Sequence, residues 1–318
     1  VKLIVQIPCL NEEATLPETL AAVPRSIPGI DLVEILVIDD GSTDRTAEVA
    51  RAHGADHLVR FTRRKGLAAG FMAGLDACLR LGADVIVNTD ADHQYPGHEI
   101  PRLVAPILAG EADMVVGDRE VQGVRHFSWT KRKLQHVGSW VVRKVSGTTV
   151  ADATSGFRAL NREAALRINI VSEFTYTLES IIQAGKKKMA VAHLPIETRQ
   201  TRPSRLFGST WEYIKRSGAT IIRIYAMYEP LKVFVLLGSL LLAGGLVLGA
   251  RYAYFWIVEN RAAGHLQSGI LSGLLLILGF QTLQWGILAD LVASNRKLLE
   301  DLLYRVRKGE LENRTPRG

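Results

Sequence analysis

The chain has 318 residues, 39 Lys plus Arg against 32 Asp plus Glu, a formal charge of +7 and 47% hydrophobic residues. That length fits one large domain or two modest ones, and the basic balance suits a protein lying on anionic lipid or taking a phosphorylated ligand. Cys9 and Cys78 are the only cysteines, with no CxxC and no Cys/His cluster. This argues against a disulfide framework or a zinc site and favours a reducing compartment, and no nucleic-acid recognition motif accompanies the charge.

In chain order, the first two hundred residues alternate. The Val- and Ile-rich stretches KLIVQIP, VEILVIDD, HLVRF, DVIVNTD and DMVVGDR predict short buried strands. Helices are predicted between them over Ala14–Val23, Thr43–His53, Gly66–Leu81 and Pro101–Leu108, followed by Thr175–Ala184 and the strand MAVAHLPIE. The rhythm predicts a Rossmann-like α/β domain with a mostly parallel sheet and helices on both faces. Gly66, Gly70 and Gly74 recur every four residues and predict a small-residue helix face. They do not form a GxGxxG loop, so a nicotinamide enzyme is not expected.

From Trp211 to Tyr228 the pattern becomes amphipathic. Trp211, Ile214, Ile221, Tyr225 and Tyr228 share a face, which predicts an interfacial helix. Two uncharged runs follow, between Lys232 and Arg251 and from Leu266 to Ala289. Each is close to the ~20 residues that cross a bilayer. Both lie late in the chain, so neither reads as a signal peptide, and no cleavable segment is expected ahead of Val1. The expected organisation is 1–210 as the α/β domain, 211–229 as a juxtamembrane helix, 230–292 as two spans and 293–318 as a basic tail. Basic residues flank the first span before it and the second span after it, which places the α/β domain and the tail in the cytoplasm of an inner-membrane protein.

In open parallel sheets, ligands bind beyond the carboxyl ends of the strands. Pro8–Glu12, Asp39–Asp40, Asp90–Asp92 and Asp118–Arg119 all follow predicted strands. Asp90 and Asp92 stand one residue apart, either as a helix-capping turn or as a metal site. Carboxylates that close repel one another unless something positive lies between them. Acidic residues at three of four strand ends favour the metal reading, with Mg²⁺ or Mn²⁺ as the hard cation that oxygen ligands take.

The segments 8-PCLNEE-13, 38-IDDGSTD-44, 88-NTDADHQYP-96, 117-GDR-119 and 152-DATSGFRA-159 resemble, in this order, the family 2 glycosyltransferases. More narrowly, the stretch from residue 1 to about residue 210 is similar to the dolichol-phosphate mannose synthase and polyprenyl-phosphate glycosyltransferase branch. The resemblance implies a GT-A fold and inverting transfer of a hexose from GDP-mannose or a UDP-sugar to a dolichyl or undecaprenyl phosphate. It implies a nucleotide-sugar set of Pro8, Leu10, Glu12, Val37, Asp39, Lys65, Asp90, Ala91, Asp92 and Arg119. Leu10 stands where the mannose synthases usually have Tyr, which leaves the base open. Asp92 and Gln94 would face the metal, with Asp90 behind them or on the donor sugar and His93 pointing away. Arg119 would meet the diphosphate, because a planar guanidinium matches paired phosphate oxygens; Asp90, Asp92 and Arg119 would carry catalysis.

On the acceptor side, Arg199, Ser204 and Arg205 of 199-RQTRPSR-205 match the family pattern, with Arg202 in place of its glycine. Arg132, in 131-KRKLQHVGS-139, would join them on the lipid phosphate. Glu179 would orient substrate or buttress an arginine. A phosphomonoester, with a second pKa of roughly 6, needs no strong base, though Asp90 or Asp152 could assist. Expected partners are a nucleotide sugar, a polyprenyl phosphate and the membrane, not nucleic acid; homo-oligomerisation stays open. A polysaccharide synthase of the same fold should carry Q-x-x-R-W, and 281-QTLQW-285 has Gln for the Arg. A haloacid-dehalogenase phosphatase should carry D-x-D-x-T, which is absent. An inactive membrane-anchored scaffold would not need the intact acidic set.

Overall fold

The computed structural model describes residues 1–119, 139–140, 142–172, 176–199, 218–219, 223, 225–259 and 265–314. Two compact units divide the chain, one of Val1–Ile221 with Leu303–Gly318 and one of Ile222–Leu302.

The first unit is built on strands β1 (Lys2–Cys9), β2 (Leu32–Asp39), β3 (His57–Arg60), β4 (Val85–Asn88), β5 (Met114–Asp118), β6 (Arg158–Asn161) and β7 (Val191–Pro195). They form one sheet in the order β3-β2-β1-β4-β6-β5-β7. Every pairing is parallel except those of β6, which runs antiparallel to both β4 and β5. The helices are α1 (Leu16–Ala22), α2 (Thr46–Ala52), α3 (Leu67–Arg80), α4 (Ile100–Leu108), α5 (Arg162–Arg167) and α6 (Thr177–Lys186). The five strands expected first lie where the sequence puts them, with each helix within three residues of its expected start.

Side chains alternate across a strand, so a sheet covered on both faces needs apolar residues at every position. Leu3, Val5 and Ile7 of β1 join Val33, Ile35 and Val37 of β2 in one core with Leu16, Leu20, Leu103 and Val104 of α1 and α4. Ile4, Ile38 and Ile86 project to the other face and are equally inaccessible. Fully burying each such side chain contributes about 1.5–3 kcal/mol. Helix α3 lies over that second face. A Cβ on Gly74 would come 2.9 Å from Ile38, and one on Gly70 would touch Ile38 and Pro8 at 3.9 Å. The small-residue face is therefore Gly70 and Gly74, whereas Gly66 precedes the helix with φ +97°.

Sequence reading missed β6. Four residues, RALN, are too few to show a period, and the fully buried Arg158 interrupts the apolar pattern. It also missed α5, whose start is capped by Asn161 Oδ1 accepting the Ala164 N–H at 2.7 Å.

The second unit holds α7 (Pro230–Ile257), most of which is apolar, and α8 (Leu266–Arg314) up to Leu302. Both helices are long and apolar enough to cross a membrane. They pack antiparallel through small residues: Cβ atoms on Gly238, Gly245 and Gly279 would come within 2.9 Å of Leu283, Leu276 and Leu242. The Ser272 hydroxyl donates to the Gly245 carbonyl at 2.7 Å. Close backbone approach and a polar contact of this kind hold helices together where lipid gives no hydrophobic drive. Leu236, Val247, Ile277 and Phe280 point outward, consistent with a membrane hairpin.

Helix α8 continues without a break past residue 292, and from Leu303 onward it packs with the first unit. There Tyr304 donates to Glu163 at 3.1 Å and lies 4.6 Å from the Arg167 guanidinium. Of the expected juxtamembrane helix, residues 218–219, 223 and 225–228 are helical; Trp211, Ile214 and Ile221 lie outside the described residues.

Candidate active site

Strands β1, β2, β4 and β5 end at one edge of the sheet, at Cys9, Asp39, Asn88 and Asp118. Because β6 is reversed, its beginning lies at that same edge, with Arg158 opposite Asn88 on one side and Val116 on the other. Residues 152–157 are thereby delivered beside the acidic turn that leaves β4.

Asn88 anchors that turn from beneath. Its Oδ1 accepts from Gln6 at 2.9 Å, and its Nδ2 donates to the Gly156 carbonyl at 2.8 Å and the Tyr176 hydroxyl at 2.9 Å. All of these groups are buried, and buried polar groups persist only when satisfied. Above them, Asp90 rests directly on Gly156: a Cβ there would stand 2.8 and 3.0 Å from the two carboxylate oxygens. Burial, and then the neighbouring Asp92, push the Asp90 carboxyl up to about 7. Ala91 is buried, with its carbonyl accepting from Thr19 of α1 at 3.0 Å. The Asp92 Oδ1 accepts the Gln94 N–H at 3.1 Å.

His93 turns toward Arg199. It sits in the left-handed region with φ 58°, its Nε2 meets the Arg199 guanidinium, and its buried Nδ1 has no hydrogen-bond partner. Burial and then Arg199 lower its pKa. The Arg199 N–H donates to the Gln94 carbonyl at 2.9 Å. Asp92, His93, Gln94 and Arg199 therefore form one cluster, which sequence reading had split between donor and acceptor sides.

Arg119 is gripped by Asp152. Its Nε and Nη2 donate to the two carboxylate oxygens at 2.6 and 3.0 Å, and Nη2 also reaches the Thr154 hydroxyl at 2.6 Å. Burial alone would raise the Asp152 pKa, but the Arg119 guanidinium holds it below the usual carboxylate range. Behind this pair, Arg158 donates to the Ser155 and Thr177 carbonyls and lies 5.3 Å from the Tyr176 ring, itself stacked on Phe71 at 4.0 Å. Gly156, Tyr176, Asn88 and Thr154 were missed in sequence reading, although 152-DATSGFRA-159 carried the signal for two of them.

At the β1–β2 end, the fully buried Asp39 accepts the Ser42 N–H on Oδ1 at 2.8 Å. Its Oδ2 accepts no hydrogen bond, although Arg60 Nε lies 3.0 Å away. The Glu12 carboxylate accepts from Thr15, and its N–H donates to Thr46. Pro8 lies under α3, and Leu10 is half-buried. Lys65 is exposed, its Nζ 4.6 Å from the Phe61 ring. Val37 needs correcting: its side chain is wholly inside the core with Val5 and Ile7 and does not face the sheet edge. Among the described residues, Glu179 accepts the N–H groups of Val171 and Ser172 and the Gln183 side-chain amide. Arg132, Ser204 and Arg205 lie outside the described residues.

Asp90, Asp92 and Gln94 offer the carboxylate and amide oxygens that a hard divalent ion takes, so the donor set fits Mg²⁺ or Mn²⁺. A second cluster could also hold an ion: the ligand atoms of His98, Glu99 and Glu197 lie within 4.8 Å of one another. There Glu99 already gives both oxygens to Arg102, at 3.0 and 2.7 Å.

Residues 4–168 match the model of the family described as glycosyl transferase family 2. The polyprenol monophosphomannose synthase of Mycolicibacterium smegmatis is 32% identical over 219 residues, covering 65% of this chain and 81% of that protein. The undecaprenyl-phosphate mannosyltransferase of Micrococcus luteus is 34% identical over 170 residues, covering 52% and 68%. Among solved structures, glucosyl-3-phosphoglycerate synthase from Mycobacterium tuberculosis, in complex with Mn²⁺, UDP and glucosyl-3-phosphoglycerate, superposes with a TM-score of 0.56 at 22% identity. That likeness covers 71% of this chain and 78% of the other, and it bears on the fold.

Proposed function

Because the chain belongs to glycosyl transferase family 2 and is a glycosyltransferase, we propose that it moves a hexose from GDP-mannose or a UDP-sugar to a polyprenyl phosphate. The product is a lipid-phosphate-linked sugar, made with inversion at the cytoplasmic face of the membrane by a GT-A domain. The observation that carries this reading is the gathering of Asp39, Asp90–Asp92 and the Arg119–Asp152 pair at one sheet edge, in a chain that also has two helices apolar enough to span. The mannosyltransferases named above, which act on polyprenol and undecaprenyl phosphates by their names, support the acceptor.

In this mechanism the base docks against Asp39, whose buried carboxylate is held by the Ser42 N–H and paired with Arg60. Arg119, its direction fixed by Asp152, faces the diphosphate. Asp92 and Gln94 would hold a divalent ion, which when bound would supply charge stabilisation to the departing diphosphate. Asp90, supported by Gly156, faces the donor sugar. Arg199, with Arg132, Ser204 and Arg205, receives the acceptor phosphate. That phosphate is already largely ionised at neutral pH, so its oxygen attacks the anomeric carbon once positioned and screened. One displacement inverts the centre.

The test is donor profiling: purified full-length protein, a polyprenyl phosphate, and a panel of UDP- and GDP-sugars. Transfer from one of them to the lipid is expected. No transfer from any donor would refute the proposal, and transfer only to a water-soluble acceptor would refute its lipid half.

A further inference from the structure

We propose that Asp40 is a positioning residue that holds the basic loop Arg63–Lys65 in place for the diphosphate of the donor. The inference rests on the nucleotide-sugar reading above.

Asp39 and Asp40 are adjacent at the end of β2, and successive strand side chains point to opposite faces. Asp39 goes to Ser42 and Arg60. Asp40, also buried, turns the other way and makes no ion pair among the described residues. Its carboxylate instead accepts two backbone N–H groups, Lys65 on Oδ1 at 2.6 Å and Gly66 on Oδ2 at 2.9 Å. A carboxylate bonded to backbone N–H groups makes strong, charge-assisted hydrogen bonds.

The loop is also held from below. Gly41 has φ +74°, and a Cβ on it would stand 2.7 Å from the Arg63 carbonyl carbon and 2.8 Å from the Arg64 nitrogen. The chain at 63–64 therefore lies directly on Gly41, where only glycine leaves room. Gly66, with φ +97°, then turns the backbone into α3.

What this double anchorage holds is unusual. Arg63, Arg64 and Lys65 are three consecutive exposed cations, with no ion pair among the described residues. Mutual repulsion would spread such a loop in solution. Fixing its backbone with one buried carboxylate keeps the positive charge beside the strand end where Asp39 meets the base. An anion bound there does not have to order the loop itself, and that saving appears as affinity. A nucleoside diphosphate is the anion whose charge follows directly on its base and ribose.

The experiment uses the full-length protein in detergent, with calorimetric titration of UDP and GDP and steady-state kinetics on the preferred donor. Asp40→Ala and Lys65→Ala should each weaken nucleotide binding about tenfold. Each should raise the donor KM alike and leave kcat within about twofold, because the loop acts on binding. The double variant should bind no worse than the weaker single variant, since both changes remove the same contact. If Asp40→Ala does not fold, Asp40→Asn, which keeps one accepting oxygen, carries the same cycle with a smaller loss. Losses that multiply in the double variant, or an unchanged affinity in the Asp40 variants, would overturn the assignment while leaving the donor reading intact. A wild-type protein that binds neither UDP nor GDP would overturn both.

Discussion

Gly156→Ala isolates the support beneath Asp90. The new methyl group would stand 2.8 and 3.0 Å from the Asp90 oxygens and 3.0 Å from the Tyr176 hydroxyl, where ordinary contact begins at 3.4 Å. Something must retreat by about 0.6 Å. Tyr176 has nowhere to go, because it is stacked on Phe71 and bonded to Asn88. Asp90 is the end of a short side chain at the rim and yields instead. The cost in stability is therefore small, about 1 kcal/mol, at the low end for an added methylene. The cost in rate is larger, since a displacement of 1 Å at a reacting centre can cost about a hundredfold. A shift of this size should lower kcat about tenfold, measured as hexose transfer to polyprenyl phosphate at saturating donor, with Tm followed in parallel. A kcat within twofold of wild type, at an unchanged Tm, would refute the idea that Asp90 must be placed.

Four other outcomes are expected. Asp92→Ala should abolish turnover through kcat, since it removes charge stabilisation made mainly in the transition state; full transfer in excess EDTA would contradict this. Arg205→Ala should raise KM for the lipid phosphate and Arg119→Ala that for the donor, and equal effects on both substrates would erase the division between sides. Asp152→Asn breaks a buried ion pair and should lower Tm at neutral pH. The Asp152 pKa is depressed in the fold, so its contribution is complete above the ordinary value of 3.8 and is lost as pH falls through the native one. The Tm gap should accordingly hold steady above about pH 5 and close in acid, and a gap that widens in acid would reverse the sign. Finally, a cysteine at Ala262 should react with an impermeant thiol reagent outside intact cells and one at Ser294 should not; equal protection would rule out the two-span topology.

The parallel part of the sheet was legible because β1, β2 and β4 are buried on both faces and read as short runs rich in Val, Ile and Leu, with acid at the end of β2 and just after β4. Asp90, Asp92 and Arg119 could be singled out because charge directly after such a run is conspicuous. What escaped was set by three-dimensional pairing. Arg158 is a charged residue in a central strand, tolerated because carbonyls and a hydroxyl surround it, and no local pattern announces that. Tyr176 reaches the site from α6 through a hydroxyl aimed at Asn88, 88 residues away in sequence. Val37 failed in the opposite direction. It lies in the matched stretch, but strand alternation turns it into the core. Asp40, for which the sequence suggested no role, is turned to the chain, where it accepts the Lys65 and Gly66 N–H groups.

The reversal of β6 also has a consequence for the order in which the molecule is made. Strands β3, β2, β1 and β4 can pair as soon as β4 has been synthesised, since all four are then present in the chain. The far side of β4 then has no partner until Arg158–Asn161 is synthesised some seventy residues later. In the interval Val85–Asn88 present an open, apolar strand edge, which invites pairing with other chains. Gly156 meets Asp90 only when this gap closes. The Asp39 end of this sheet edge is thus assembled before the support for the acidic turn, and a nascent chain stalled between them carries the exposed edge of β4.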